Sequence, residues 1–239
     1  MLPQPKPGAV RQLLIVPLIR RGDVAFSQRP HIRRFKHFFY LLNFVNNAFN
    51  VHFPDSIAMA TPELTPDQIT QISGLVADYI SIQRQKFFRR AIPLTARQRL
   101  AVAPFFAPVL LDNVLVLVLE GERVPNPDFY AMLRDLGFKK LPDQSAMAAI
   151  TFRDVVVSHE PFSYGLLFHE LVHVEQYRQF GITRFADLYV HGFLNGGSYE
   201  AIPLELNAYN LEERFRRDPR RIFSVQQEVA EWAAKGRLG

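Results

Sequence analysis

The 239-residue chain contains no cysteine, which excludes a disulfide framework, a zinc ribbon, an iron–sulfur cluster and a thiol nucleophile. Any metal must therefore be held by His, Asp or Glu. Glycine is sparse, with 12 residues, and no glycine-rich phosphate loop, internal repeat or low-complexity tract is present. Long apolar runs are missing as well. The run over 13–19 is broken by Pro17 and followed by Arg20 and Arg21, where a signal peptide needs small residues. The run over 114–119 ends at Glu120, far short of the roughly 20 residues of a membrane helix. The expectation is a soluble, cytoplasmic protein.

What is present is enough for a real core: 48% hydrophobic against 21% charged residues, in a length that suits one large domain or two small ones. Charge is unevenly placed. Residues 1–100 hold 14 Lys and Arg against 5 Asp and Glu, whereas residues 101–239 hold 14 against 18. The basic first part could meet an anionic partner or the acidic second part itself.

Prolines 3, 5 and 7 mark a leader. Over 31–50, Phe35, Phe38, Phe39, Leu42, Val45 and Phe49 recur at helical spacing opposite a basic face. Thr65-Pro66 with Gln68 announces a second helix to about Arg90, and Thr95 with Gln98 a short third. The pattern then turns strand-like over 113–120 and again over 149–157, with a short helix between them capped by Asn126 and ended by Gly137. Ser163 caps a helix running to Gly181 and Thr183 caps another. Pro203 opens a helix to about Arg217, and Ser224 with Gln227 opens the last. The fold class expected is α+β: a helix-rich domain over 96–239 with a small mixed sheet, and a basic helical region over 1–95 packed on it.

The residues that carry chemistry are Phe168-His169-Glu170-Leu171-Val172-His173. Histidines four apart on a helix share a face, so both imidazoles can reach one ion, with Glu170 beside them. With 7 His and 12 Glu in the chain, a chance match is expected roughly one time in a hundred. The surrounding apolar residues imply a buried helix, in which two His and a Glu need partners. A metal would supply them. Catalytic zinc takes a third protein ligand, and the nearest candidates are Glu205, in the first turn of the helix that Pro203 opens, and Glu200, in the preceding loop. The helix position favours Glu205 and leaves Glu200 a supporting or substrate contact. His191 is the competing third ligand, and Tyr199, Tyr209, Tyr189 or His191 could donate to an oxyanion.

In this respect the sequence resembles the zincin metallopeptidases, in the gluzincin-like arrangement where a second helix supplies a Glu. No third His follows His173 at metzincin spacing. It is similar to bacterial metallopeptidase-like domains of uncharacterised function through the stretch AAITFRDVVVSHEP, the helix from His169 to Gln176, and Pro203 to Tyr209, over roughly residues 105–215. The resemblance implies one Zn2+ per chain held by His169, His173 and Glu205. Glu170 would be the general base for a metal-activated water attacking a peptide bond. It also implies an edge strand that binds a peptide substrate by β-addition, for which 149–157 is the candidate. A buried central strand is the alternative for that segment. His159 and Glu160 read as loop residues.

The partners expected are a peptide or protein substrate and no nucleic acid. Arg33, Arg34 and Lys36 among the N-terminal aromatics allow a weak contact with an anionic surface, or a lid over the cleft. The alternative function is a non-catalytic zinc-binding or peptide-binding regulatory protein on the same fold.

Overall fold

The computed structural model describes residues 62–236. The expected arm over 13–19 and the basic helix over 31–50 lie outside the described residues. The first helix, α1 (Pro66–Phe88), begins with a reciprocal cap: Thr65 Oγ1 accepts the Gln68 N–H, and Gln68 Oε1 accepts the Thr65 N–H at 2.8 Å. After strand β1 (Ile92–Pro93), Thr95 and Gln98 repeat the device for α2 (Ala96–Val102). Residues around 113 depart from expectation. They close a short helix, α3 (Pro108–Asn113), before strand β2 (Leu115–Val118) begins. No side chain caps α3, so no polar signal announces it; Pro108 at its first turn is the local cue.

Helix α4 (Tyr130–Asp135) lies inside the expected span, but Asn126 is not its cap. Instead the Asn126 amide accepts the Gln144 N–H at 2.8 Å and donates to Asp143, tying two loops together. The segment over 149–157, expected as one strand, folds as a hairpin of β3 (Ala149–Phe152) and β4 (Val155–Ser158). Arg153 takes a left-handed φ of 63° in its turn. The sheet order is β1-β2-β4-β3, with β2 and β4 parallel and the outer pairs antiparallel. The two expectations for this segment therefore divide between its halves: β4 is central and its three valines are fully buried, while β3 is an edge.

Helix α5 (Tyr164–Gly196) is capped by the Ser163 hydroxyl and kinks at Gly181, whose φ of 72° and ψ of 170° interrupt the helical backbone. Such a conformation is open essentially to glycine alone. The break falls where one helix was expected to end and the next to start. Helices α6 (Pro203–Arg217) and α7 (Val225–Ala234) follow, the latter capped by Ser224. The core centres on Phe168 of α5, which stacks on Phe215 of α6 at 4.4 Å between ring centroids and meets Phe105 and Phe106 edge-on.

The fold is thus α+β, mostly helical, with one small mixed sheet of four strands among the described residues. Residues 62–95 are built into this body, since α1 lies against α5 and the hairpin. Arg84 of α1 grips Asp154 at the hairpin turn with paired hydrogen bonds, Nη2 to Oδ2 at 2.8 Å. Among the described residues no helix is long and apolar enough to cross a membrane.

Candidate metal centre

The first half of α5 is buried without interruption from Leu167 to Tyr177, so its polar side chains are inside whatever they do. One turn separates His169 from His173, and their Nε2 atoms face each other at 3.1 Å. Glu205, in the first turn of α6, brings Oε2 to 3.4 Å from each of them. Helix α6 can come this close because residue 192 is glycine: a Cβ there would lie 2.6 Å from Pro203 Cδ, at the start of α6.

These three atoms outline a ligand set. Four tetrahedral ligands at zinc bond lengths of about 2.0–2.1 Å stand about 3.3 Å apart, and the three sides here are 3.1, 3.4 and 3.4 Å. Glu205 Oε2 and His169 Nδ1 are buried without a hydrogen-bond partner, a costly state for polar atoms. For Glu205, an ion between the three side chains would relieve it. Two imidazole nitrogens with one carboxylate oxygen suit a zinc ion well.

The tautomer of His173 follows from its neighbours. Gln176 Nε2 donates to the Leu204 carbonyl and to Asn207 Oδ1, both at 3.0 Å, and a carbonyl can only accept. Gln176 Oε1 must then face His173 Nδ1, 2.9 Å away, and accept its N–H. The lone pair of His173 is thereby left on Nε2, toward His169 Nε2 and Glu205 Oε2. Gln176 also joins α5 to α6, so the ring orientation and the position of Glu205 are set by one amide. His169 has a carboxylate behind it, with Glu212 Oε2 at 3.4 Å from Nδ1. Neither Gln176 nor Glu212 was found as a site residue from sequence. The signal available was spacing: Gln176 is three residues after His173, and Glu212 is two turns after Glu205 on the same face.

Electrostatics agree with a site for positive charge. Burial disfavours the imidazolium of His169, yet the carboxylates of Glu205 and Glu212 outweigh it and push the ring up to about 10. Burial likewise opposes ionisation of Glu205, but the neighbouring imidazoles of His173 and His169 hold it well below the usual carboxylate range. Glu170 is different: burial dominates and raises it, against the pull of both histidines. Its Oε2 accepts a hydrogen bond from Thr151 Oγ1 of β3 at 2.7 Å, which fixes one carboxylate oxygen.

Of the other residues singled out in the sequence, Tyr199 and Tyr189 border the cavity beside Glu205. Burial raises both phenols well above their ordinary value, helped at Tyr199 by the Glu205 carboxylate and at Tyr189 by Tyr130 and then Glu205, so they are protonated donors. Tyr209 lays its ring 4.5 Å from that of His169. Glu200 is exposed on a 3-10 turn and is not part of the ligand cluster. His191 is exposed and sits 3.4 Å from Asp187; it is not in the cluster either. His159 has a structural job, accepting the Val124 N–H at 2.9 Å and facing the Met147 carbonyl at 2.6 Å. Comparison with protein families, curated proteins and solved structures found no match to the chain, so the geometry of the site carries the functional reading alone.

Proposed function

We propose that the chain is a zinc-dependent peptidase of the zincin type, with His169, His173 and Glu205 as metal ligands and Glu170 as general base. The observation that carries this reading is the triangle of 3.1, 3.4 and 3.4 Å between the three ligand atoms, with Glu170 on the same helix. A zinc ion bound there supplies Lewis acidity to polarise the scissile carbonyl. The rest is the work of this chain's side chains. Glu170, raised by burial, is a better base than an exposed carboxylate. It takes the proton of the attacking water and delivers it to the leaving amine, while Thr151 keeps its other oxygen in place. Tyr199 or Tyr189 donates to the oxyanion that develops on the carbonyl. The edge strand β3, bordering the same cavity, offers backbone groups to an extended peptide. A cytoplasmic location is part of the same proposal.

The test is Glu170→Gln. Purified wild-type and variant protein are expected to hold equal zinc, about one ion per chain, while peptide hydrolysis by the variant falls by about 10²- to 10⁴-fold. Zinc-free protein from zinc-replete growth would overturn the reading. A zinc-loaded wild type that cuts nothing in a broad peptide mixture would favour the regulatory zinc protein instead.

A further inference from the structure

A cavity of about 120 Å³ opens beside Glu170, His173 and Glu205. Its walls come from α1, from the second half of α5, from β3 and from the α4 region. The α1 side shows Ile72, Val76 and Ile80, one residue per helical turn, and α5 faces it with Val190 and Phe193. Protein interiors leave few voids larger than a water molecule, and this one is continuous with the ligand triangle.

Its lining is mostly apolar. Among the described residues no Lys, Arg or Asp lines it, and its ionisable groups other than phenols are Glu170, His173 and Glu205, which belong to the candidate metal centre. A charged side chain placed here would lose its hydration and, among these lining residues, find no counter-charge outside that centre. In size it falls slightly short of an apolar cavity of about 150 Å³ that takes up benzene.

We propose that this cavity receives a side chain of the substrate next to the scissile bond, and that the enzyme acts on amides carrying an uncharged aromatic or branched aliphatic group there. The inference rests on the metallopeptidase reading for the bond that is cut, but the cavity's affinity for apolar groups does not depend on the metal. Val76 of α1 and Val190 of α5 both line the cavity and neither belongs to the His169–His173–Glu205 cluster, so a phenylalanine at either position takes up its space without replacing a residue of that cluster.

The test has two arms, run on wild type, Val76→Phe and Val190→Phe after circular dichroism confirms folding. On metal-free protein, fluorobenzene binding is followed by fluorine NMR. Wild type is expected to shift and broaden the signal, and both variants to lose the effect. On zinc-loaded protein, calorimetry compares acetohydroxamate with a phenylalkyl and an aminoalkyl hydroxamate. Burying a phenyl group should favour the phenylalkyl probe by about 10- to 100-fold in wild type, a gap that closes in both variants, while acetohydroxamate binds all three proteins alike. Equal fluorobenzene signals in wild type and filled variants, or an aminoalkyl probe that binds as well as the phenylalkyl one, overturns the cavity assignment. Failure of every protein to take up zinc overturns the metal centre and leaves the fluorobenzene arm to decide on the cavity.

Discussion

Before Gly181, helix α5 is buried on every side and carries His169, Glu170, His173, Glu175 and Gln176 in its interior; after Gly181 it turns Phe185, Leu188 and Val190 inward and leaves Arg184 and His191 exposed. The second half is an ordinary amphipathic helix, stabilised by the apolar area it covers. The first half buries polar groups that each cost free energy unless matched. Most are matched. Glu175 accepts from Arg178 and Gln179, Gln176 makes three contacts, and Glu170 accepts from Thr151. On this half the exception is His169 Nδ1, and across from it Glu205 Oε2 of α6 is unpaired too; Ser73 Oγ and Gln83 Oε1 of α1 are the other such atoms among the described residues. Polar burial, more than any single residue type, separates the two halves of the helix.

The largest effect expected is in the first half. His173→Ala removes a ligand and leaves Glu205 buried beside a single imidazole, so zinc retained after dialysis should drop from about one per chain to background by metal analysis. Zinc held at wild-type level would break the comparison outright. Gln176→Leu keeps the volume but frees the His173 ring, and zinc affinity measured against a competing chelator should fall by about 10- to 100-fold. Unchanged affinity would mean that the ring does not depend on Gln176 for its orientation.

A smaller effect is expected at the hairpin that presents Thr151 to the first half. Burial opposes ionisation of Asp154, but the hydrogen bonds and charge of Arg84 outweigh it, so its carboxyl sits below the ordinary 3.8. A depressed carboxylate stabilises the fold above its unfolded value and ceases to do so as pH falls through the folded one. Wild type should therefore outlast Asp154→Asn in denaturant at pH 7, and the advantage should vanish as pH falls below about 3.8. A constant difference down to pH 2 would show that the ion pair is not its source. The smallest effect belongs to the second half: His191→Ala should change neither zinc content nor hydrolysis, and stability by no more than about 0.5 kcal/mol. A loss of zinc there would erase the distinction between the halves.

Local signals in the sequence accounted for much of the fold. Thr65 and Thr95 with their glutamines, Ser163, Pro203 and Ser224 all stand where helices begin, because a cap is decided within four residues. That His169, His173 and Glu205 come together was legible for the same reason, one helical repeat and one helix start. The β3–β4 hairpin was not, since its turn is Arg153-Asp154 with no glycine or asparagine to mark the left-handed residue. Thr151 against Glu170, Glu212 behind His169, and the cavity itself depend on how elements from distant parts of the chain meet. His191 stays outside the cluster because its helix turns it to solvent beside Asp187, a matter of rotation that spacing alone did not resolve.

The break at Gly181 divides labour within one segment. Before the bend the chain presents two imidazoles to Glu205, and beyond it the same chain lays Val190 and Phe193 along the neighbouring cavity. A single glycine, free to take a backbone conformation closed to other residues, thus lets 33 consecutive positions serve a polar cluster and an apolar wall at once.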